Sequence, residues 1–326
     1  MMLDVLVEER DLSGGFHPDY TDNVLPLLTA WMRAGERCAL VTLVGIDGTA
    51  PRALGAQMAV SENGQWCGYI SGGCLEQAIA LEAADAIEAG RHRLIRYGKG
   101  SPYFDIRLPC GSGLDLLIQP LFDARLIEIM NAKLARREAF SLHLDLSNGA
   151  AAISERQEPN SLADEKVFVR RYDPSLRCLV IGASPIAFAL AEAAACADFE
   201  TILHVPQSDN LPAISPGIAV RPLMPPYGGS VDQWTAAVLA FHDHDREIPV
   251  FSELLQSGCF FITAIGSRNA HEARKLALTE AGFSENEIAR IISPAGLIPG
   301  LKTAPQVATS ILAQIIGQAR SKGMLS

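Results

Sequence analysis

The sequence has few of the features that mark secreted or membrane-spanning proteins. Its seven cysteines are an odd number and form no CxxC pair, which argues against a disulfide framework and against a structural zinc site. No apolar run approaches the roughly 18 residues expected of a membrane span. The first residues lack the basic segment and apolar core of a secretory signal. We therefore expect a cytoplasmic protein with reduced thiols and no membrane association.

Basic residues are also scarce relative to acidic ones. The chain has 27 Lys and Arg against 37 Asp and Glu, a formal net charge of -10. Non-specific nucleic-acid binding needs a clustered basic surface, so we expect no nucleic-acid partner. The sequence also contains no P-loop and no recognisable trio of nucleophile, base and orienting acid, so it does not require catalysis.

What the sequence does contain indicates two folded domains. The chain has 326 residues, 48% of them apolar and 20% charged, and exceeds the length at which a single core usually stops growing. Hairpin signals and helices fill the first half, and apolar strands alternate with helices after Asp173-Pro174. We predict an α/β protein with an N-terminal α+β domain over 1–173. A Rossmann-like domain with a doubly wound parallel sheet follows over 174–326.

A glycine-rich turn in the first half places a cysteine near a helix start. The apolar segments 57–60 and 66–70 flank Asn63-Gly64, a strong hairpin signal. Ser71-Gly72-Gly73 then leads into a helix predicted to run to residue 89, with Cys74 in its first turn. Unpaired amides and the helix dipole there favour an anion, including a thiolate. The alternative is a tight turn with a buried cysteine.

Two further positions in the first half are candidates for ligand contact. Cys110 and Gly111 form a second glycine-rich turn with a thiol. Arg52 follows Pro51 on a short turn, which positions its guanidinium for a phosphate or, alternatively, for a salt bridge. Glu76 is placed to cap its own helix through the helix dipole.

The second half only partly matches a dinucleotide-binding fingerprint. Gly182 and Ala187 fit the motif, but Ser184 stands where close backbone approach to a pyrophosphate favours glycine. Ser184 is suited to cap the following helix, with Pro185 in its first turn. The acid that usually binds the ribose at the end of the next strand is missing, since that strand ends at Val205. Both departures disfavour NAD(P).

Two other turns of this half follow predicted strands. Segment 231–241 is predicted to contain a helix and then a strand, after which His242 lies where open α/β sheets bind ligands. The polar run 242–245 (HDHD) is typical of a surface loop or, alternatively, of a metal site. Gly266, Ser267 and Arg268 follow an apolar strand and precede a helix, so their amides and guanidinium are candidates for binding an anion. The alternative is an ordinary turn.

Several segments together resemble the xanthine dehydrogenase accessory factor (XdhC/CoxI) family. They are 48–58 (GTAPRALGAQM), 70–76 (ISGGCLE), 108–115 (LPCGSGLD), 264–268 (AIGSR) and 294–297 (PAGL), in that order. The resemblance implies a maturation factor that binds molybdenum cofactor as cargo and delivers it, in sulfurated form, to a xanthine dehydrogenase-type molybdenum hydroxylase apoenzyme. It also implies a homodimer and a cysteine desulfurase as a second partner.

Two alternatives stay open from the residues: an NAD(P)-dependent Rossmann oxidoreductase, and a diverged scaffold that binds another small ligand. Under the leading interpretation the cofactor-binding residues are predicted to be Arg52, Gln57, Ser71, Gly72, Gly73, Cys74, Cys110, Gly111, Gly182, His242, Gly266, Ser267 and Arg268.

Overall fold

A computed structural model describes residues 23–101, 111–120, 122–164, 166–206, 211–224, 231–241 and 247–325. The chain divides into two compact units, Met1–Pro174 and Ser175–Ser326. The first unit contains antiparallel sheets with helices, and the second a parallel sheet with helices. The predicted α/β fold class is therefore confirmed. Within the described ranges, no helix is both long enough and apolar enough to cross a bilayer.

The first unit combines three helices with two sheets in the part of the chain described. Its elements are α1 (Leu25–Arg33), β1 (Cys38–Asp47), β2 (Gln57–Ser61), β3 (Trp66–Gly68), α2 (Glu76–Ala89), β4 (Arg93–Gly98), β5 (Gly113–Gln119), α3 (Ala124–Ala135), β6 (Phe140–Asp145), β7 (Ala151–Ser154), β8 (Ser161–Leu162) and β9 (Val167–Tyr172). One sheet has the order β3-β2-β1-β5-β4 and the other β7-β6-β9-β8. Both are antiparallel throughout.

The larger sheet of this unit is buried on both faces. Val41 and Leu43 of β1 pack with Ile79 and Ala83 of α2 in one apolar cluster. The alternate residues of β1 belong to a second cluster with α1, α3 and the smaller sheet. Since successive side chains point to opposite faces of a strand, burial on both faces explains why β1 is mostly apolar rather than alternating apolar and polar.

The second unit has the strand order of a dinucleotide-binding fold. Its elements are β10 (Arg177–Ile181), α4 (Pro185–Cys196), β11 (Glu200–Val205), β12 (Ile218–Pro222), β13 (Thr235–Leu239), α5 (Glu247–Gln256), β14 (Phe261–Ala264), α6 (Arg268–Glu280), α7 (Glu285–Ile288), β15 (Ile291–Ile292) and α8 (Ala304–Ser321). The sheet is parallel with the order β12-β11-β10-β13-β14-β15. The strand order reverses between β10 and β13, which is the switch point where such folds bind ligands.

The segment before β13 differs from the prediction. The sequence predicts a helix within segment 231–241, but the residues before β13 form a turn. The Asp232 side chain accepts hydrogen bonds from the Trp234 amide (3.0 Å) and the Thr235 hydroxyl (2.7 Å). An aspartate that bonds the backbone two residues later closes a turn and competes with a helix, which explains the difference.

Candidate functional site

The turn that carries Cys74 lies outside the helix that follows it. α2 begins at Glu76, so Cys74 precedes the first helical residue by two positions, and the prediction of a cysteine in the first helical turn is wrong. Gly72 and Gly73 have φ angles of 81° and 111°, a left-handed region that favours glycine. The Cys74 thiol is exposed. The turn therefore presents the thiol to solvent on a backbone that only glycine adopts easily.

Glu76 folds back from the first residue of α2 and fills this turn with its own carboxylate. One carboxylate oxygen accepts from the amides of Ile70 (2.9 Å) and Ser71 (2.7 Å). The other accepts from the Ser71 hydroxyl (2.7 Å) and from the amides of Gly73 (2.8 Å) and Leu75 (3.2 Å). The side chain of Glu76 thus takes the place that a bound anion would occupy in such a nest of amides.

The electrostatics of the turn follow from this buried carboxylate. Glu76 is 2% exposed, and burial opposes its ionisation. The hydrogen bonds from the Ser71 hydroxyl and the backbone amides outweigh that cost, so the pKa of Glu76 is lowered. The amides predicted to stabilise a thiolate or a ligand anion are engaged by Glu76 instead. Glu76 therefore accepts hydrogen bonds from these amides directly. It also lies at the N-terminus of α2, where the helix dipole favours a negative charge.

Arg52 lies beside the same turn. A Cβ added to Gly72 would lie 3.9 Å from the Cβ of Pro51, the residue before Arg52. The Arg52 guanidinium lies over the Tyr69 ring, 4.1 Å from its centroid, and donates from Nη1 to the Tyr69 hydroxyl at 2.9 Å. Among the described contacts of Arg52, these two to an aromatic side chain were not predicted from the sequence.

The second glycine-rich turn is joined to the Arg52 loop. The Ser112 hydroxyl accepts from the Thr49 amide at 3.1 Å and donates to the Thr49 carbonyl. Gly111 is exposed and has a φ of 69°. Cys110 lies outside the described residues. Gly111 therefore stands next to the loop that carries Arg52, and this loop contacts the Cys74 turn.

A charged cluster supports the same end of the sheet. Arg96 donates from Nη1 to both oxygens of Asp115 (3.0 and 2.8 Å) and from Nη2 to Asp47 (3.2 Å). Its guanidinium covers Gly113, where an added Cβ would lie 2.6 Å from Nη2. This cluster ties together the end of β1, the end of β4 and the start of β5, next to the loop that carries Arg52 and the turn that carries Gly111.

Gln57 has an internal role in the structure. Its side chain is 4% exposed, donates from Nε2 to the Thr42 hydroxyl (3.1 Å) and accepts from the Tyr172 hydroxyl (2.7 Å). Tyr172 in turn stacks on Phe140 with ring centroids 5.0 Å apart. Gln57 thus connects the two sheets of the first unit. Its assignment to a cofactor site stays a prediction.

In the second unit, Gly182 and Ser184 have clear structural functions. A Cβ at Gly182 would lie 2.7 Å from the carbonyl carbon of Ala240, so only glycine lets the ends of β10 and β13 approach this closely. Ser184 caps α4 by accepting from the Ala187 amide at 3.2 Å, as predicted. Val205, at the end of β11, is 3% exposed. The segment that only partly matches the dinucleotide-binding motif therefore forms a capped start of α4.

The turn after β14 lies above a buried ion pair. Arg274 of α6 donates to the Glu247 carboxylate of α5 from Nε and also from Nη2, the latter at 3.0 Å. Nη2 also donates to the Ile265 carbonyl at 2.6 Å. The two side chains are 4% and 0% exposed. A Cβ at Gly266 would lie 2.8 Å from the Arg274 guanidinium, so this cation fills the space beneath the turn.

The remaining predicted residues of this turn are on the surface. Gly266, Ser267 and Arg268 are exposed, and the Ser267 hydroxyl caps α6 by accepting from the Ala270 amide at 3.2 Å. Gly266 follows β14 and Gly182 follows β10, so both lie at the carboxyl edge of one sheet. His242 lies outside the described residues. Across the described ranges, no three His, Cys, Asp or Glu side chains are grouped to hold a metal ion.

Sequence reasoning missed Tyr69, Ser112, Glu247 and Arg274. A signal existed for Arg274, because it lies four residues before Leu278 on the buried face of α6, where a charge requires a partner. Nothing in the sequence identified Glu247 as that partner, 27 residues earlier. The roles of Tyr69 and Ser112 are visible only in their contacts with other loops, Tyr69 with Arg52 and Ser112 with Thr49.

The chain is similar to known proteins over most of its length. It is 34% identical over 301 residues to the molybdenum cofactor insertion chaperone PaoD of Escherichia coli (strain K12), covering 92% of this chain and 89% of that protein. It is 22% identical over 333 residues to a probable xanthine dehydrogenase subunit from Bacillus subtilis (strain 168), covering 90% and 97%. A crystal structure described as a xanthine dehydrogenase from Bacillus halodurans superposes with a TM-score of 0.71 at 20% identity. That match covers 91% of this chain and 96% of the other.

Two family models match separate parts of the chain. The XdhC and CoxI family matches residues 31–98, which include Arg52, Tyr69 and the Cys74 turn. The XdhC Rossmann domain matches residues 178–315, from β10 into α8. Together with the 34% identity to PaoD, these matches confirm the resemblance inferred from the motifs. The chain belongs to the XdhC and CoxI family.

Proposed function

We propose that this protein is a molybdenum cofactor insertion chaperone that delivers its cargo to a molybdenum hydroxylase. The observation that carries this proposal is the 34% identity to PaoD, because it extends over 92% of the chain and so includes both units. A likeness confined to a Rossmann fold would support no particular function, since that fold serves many.

The Cys74 turn supplies the chemistry that such cargo requires. Thiolates are soft ligands, and Cys74 is an exposed thiol held on the Gly72-Gly73 turn. The buried Glu76 carboxylate fixes the turn through five hydrogen bonds. The thiol is therefore presented by a preorganised backbone, which reduces the entropic cost of binding.

The finer parts of the proposal rest on the family resemblance. The cargo is proposed to be sulfurated, a cysteine desulfurase to be the second partner, and the functional form to be a cytoplasmic homodimer. NAD(P) is proposed to have no part, because Ser184 caps α4 and Val205 replaces the ribose-binding acid.

Insertion can be tested by producing a molybdenum hydroxylase with and without this protein. We expect the wild-type protein to raise the hydroxylase's molybdenum content and activity. The Cys74→Ser variant should leave both at the level found without the chaperone, because the thiol ligand is lost. Cys196→Ser is the matched control, since Cys196 is also exposed but lies in the second unit. Equal hydroxylase activity with and without the wild-type protein would contradict the proposal.

A further inference from the structure

We propose that Arg52, positioned by Tyr69, recognises a phosphate group of the cargo beside the Cys74 turn. This inference rests on the proposed function and adds a specific contact to it. Neither the family matches nor the relatives' names assign a role to Arg52 or Tyr69.

The amides of the Cys74 turn are engaged by Glu76. A glycine-rich turn before a helix would ordinarily bind a phosphate through its backbone N–H groups. Here the amides of Ile70, Ser71, Gly73 and Leu75 all donate to Glu76. The carboxylate also places a negative charge where the phosphate would lie. Recognition of an anion at this turn therefore requires a side-chain cation.

Arg52 is a cation with the required geometry. A guanidinium binds phosphate through a planar fork of N–H donors, and it stacks well on aromatic rings. The Tyr69 ring lies 4.1 Å from the Arg52 guanidinium, and the Tyr69 hydroxyl accepts from Nη1 at 2.9 Å. Together these contacts hold the guanidinium against the Tyr69 side chain. Tyr69 is thus a positioning residue that orders Arg52 before the ligand arrives.

Among the described residues, the surface of the Cys74 turn beside this pair is open at Gly73. Pro51 approaches Gly72, so Arg52 and the turn are neighbours. A Cβ added to Gly73 would meet none of the described atoms within 4 Å. Glycine there is required by the φ of 111° and leaves the surface beside Cys74 open to close approach. In a cargo that carries a sulfur-binding metal and a phosphate, the metal is the group for Cys74 and the phosphate is the group for Arg52.

Phosphate recognition can be measured with two stable probes, the oxidised phosphorylated pterin prepared from the cofactor and its dephosphorylated form. We expect the full-length wild-type protein to bind the phosphorylated probe about tenfold or more tightly, as a charge-assisted fork provides. Arg52→Ala should bring the ratio of the two affinities close to one. Arg52→Lys should lower it in part, because lysine lacks the planar fork. Arg91→Ala, an exposed arginine beyond the far end of α2, is the matched control and should keep the wild-type ratio.

Tyr69→Phe tests the positioning role separately. The variant keeps the ring and removes the hydroxyl, so the affinity for the phosphorylated probe should fall while that for the dephosphorylated probe stays unchanged. A merely structural role for Tyr69 would change both affinities together, and that result would overturn its assignment.

Competition by inorganic phosphate above that by pyrophosphate would support recognition of a phosphomonoester. The reverse would support the diphosphate of a dinucleotide form, and competition by neither would overturn the inference.

The failure of this inference is distinguishable from the failure of the proposed function. If the wild-type protein binds both probes tightly and equally, the chaperone function stands and phosphate recognition by Arg52 is wrong. If it binds neither probe but carries pterin when purified from a cofactor-producing host, phosphate recognition by Arg52 is overturned and the chaperone function stands. An Arg52→Ala variant that keeps the wild-type ratio would overturn the role of Arg52 alone.

Discussion

Replacing Arg274 by Ala is expected to lower the free energy of unfolding of the second unit by about 3–5 kcal/mol, the cost typical of breaking a buried ion pair. The Glu247 carboxylate is 0% exposed and would lose the guanidinium that neutralises it. The Ile265 carbonyl would lose a donor at 2.6 Å, and the space beneath Gly266 would become empty. Urea denaturation of the variant and the wild type measures the loss.

Two companion variants make this prediction specific to the pair. Arg268→Ala removes an exposed arginine from the first residue of the same helix and should change stability by no more than about 0.5 kcal/mol. The double variant Glu247→Leu/Arg274→Met should recover much of the loss, because an apolar pair carries no unpaired charge. A single Arg274→Ala variant as stable as the wild type would show that the pair is not buried in solution.

Replacing Glu76 by Gln is expected to lower the free energy of unfolding by about 3 kcal/mol, because buried donors that lose a charged acceptor are costly. Glutamine offers one acceptor oxygen, and its NH2 group would face amides that are themselves donors. The amides of Gly73 and Leu75 would then lack the partner they have in Glu76. The loss is measured by urea denaturation against Glu88→Gln, an exposed glutamate of the same helix.

The pH dependence of stability provides a second readout for Glu76. Its pKa is lowered in the folded protein relative to the ordinary value of 4.5, so the unfolded chain binds more protons in this range. The stabilisation by Glu76 is therefore complete above 4.5 and is lost as pH falls through the lowered, folded-state pKa. The difference in stability between wild type and Glu76→Gln should shrink as the solution is acidified. A difference that is constant with pH would contradict an ionised, hydrogen-bonded Glu76.

The fold was largely predictable because its main elements have strong local patterns. The Asn63-Gly64 turn identifies the β2-β3 hairpin, and the fully buried strands β10 and β13 are apolar after their first residue. Strands β12 and β15 escaped prediction for a physical reason. β12 is mostly exposed and β15 has two residues, so neither carries a hydrophobic period. Their positions at the edge of the sheet depend on pairing with distant strands.

The candidate site was predictable in residue type but not in arrangement. The motifs identified Cys74 and Arg52, yet nothing local to them shows that Glu76 engages the amides of the turn or that Tyr69 holds the guanidinium. Glu76 was correctly associated with its own helix start. The Glu76 carboxylate reaches these amides because the backbone turns through Gly72 and Gly73 with positive φ angles. The sequence shows only that glycine permits such a turn, not that the turn forms.

The most direct test of a cargo-carrying protein is the pterin content of the protein itself. The full chain is purified from a host that makes molybdenum cofactor and from a host that does not, and bound pterin is measured by fluorescence after oxidation. We expect close to one pterin per chain from the first host, none from the second, and a clear reduction in Cys74→Ser but not in Cys196→Ser. Absence of pterin from the wild-type protein in the cofactor-producing host would contradict the chaperone function and favour a diverged scaffold with another ligand.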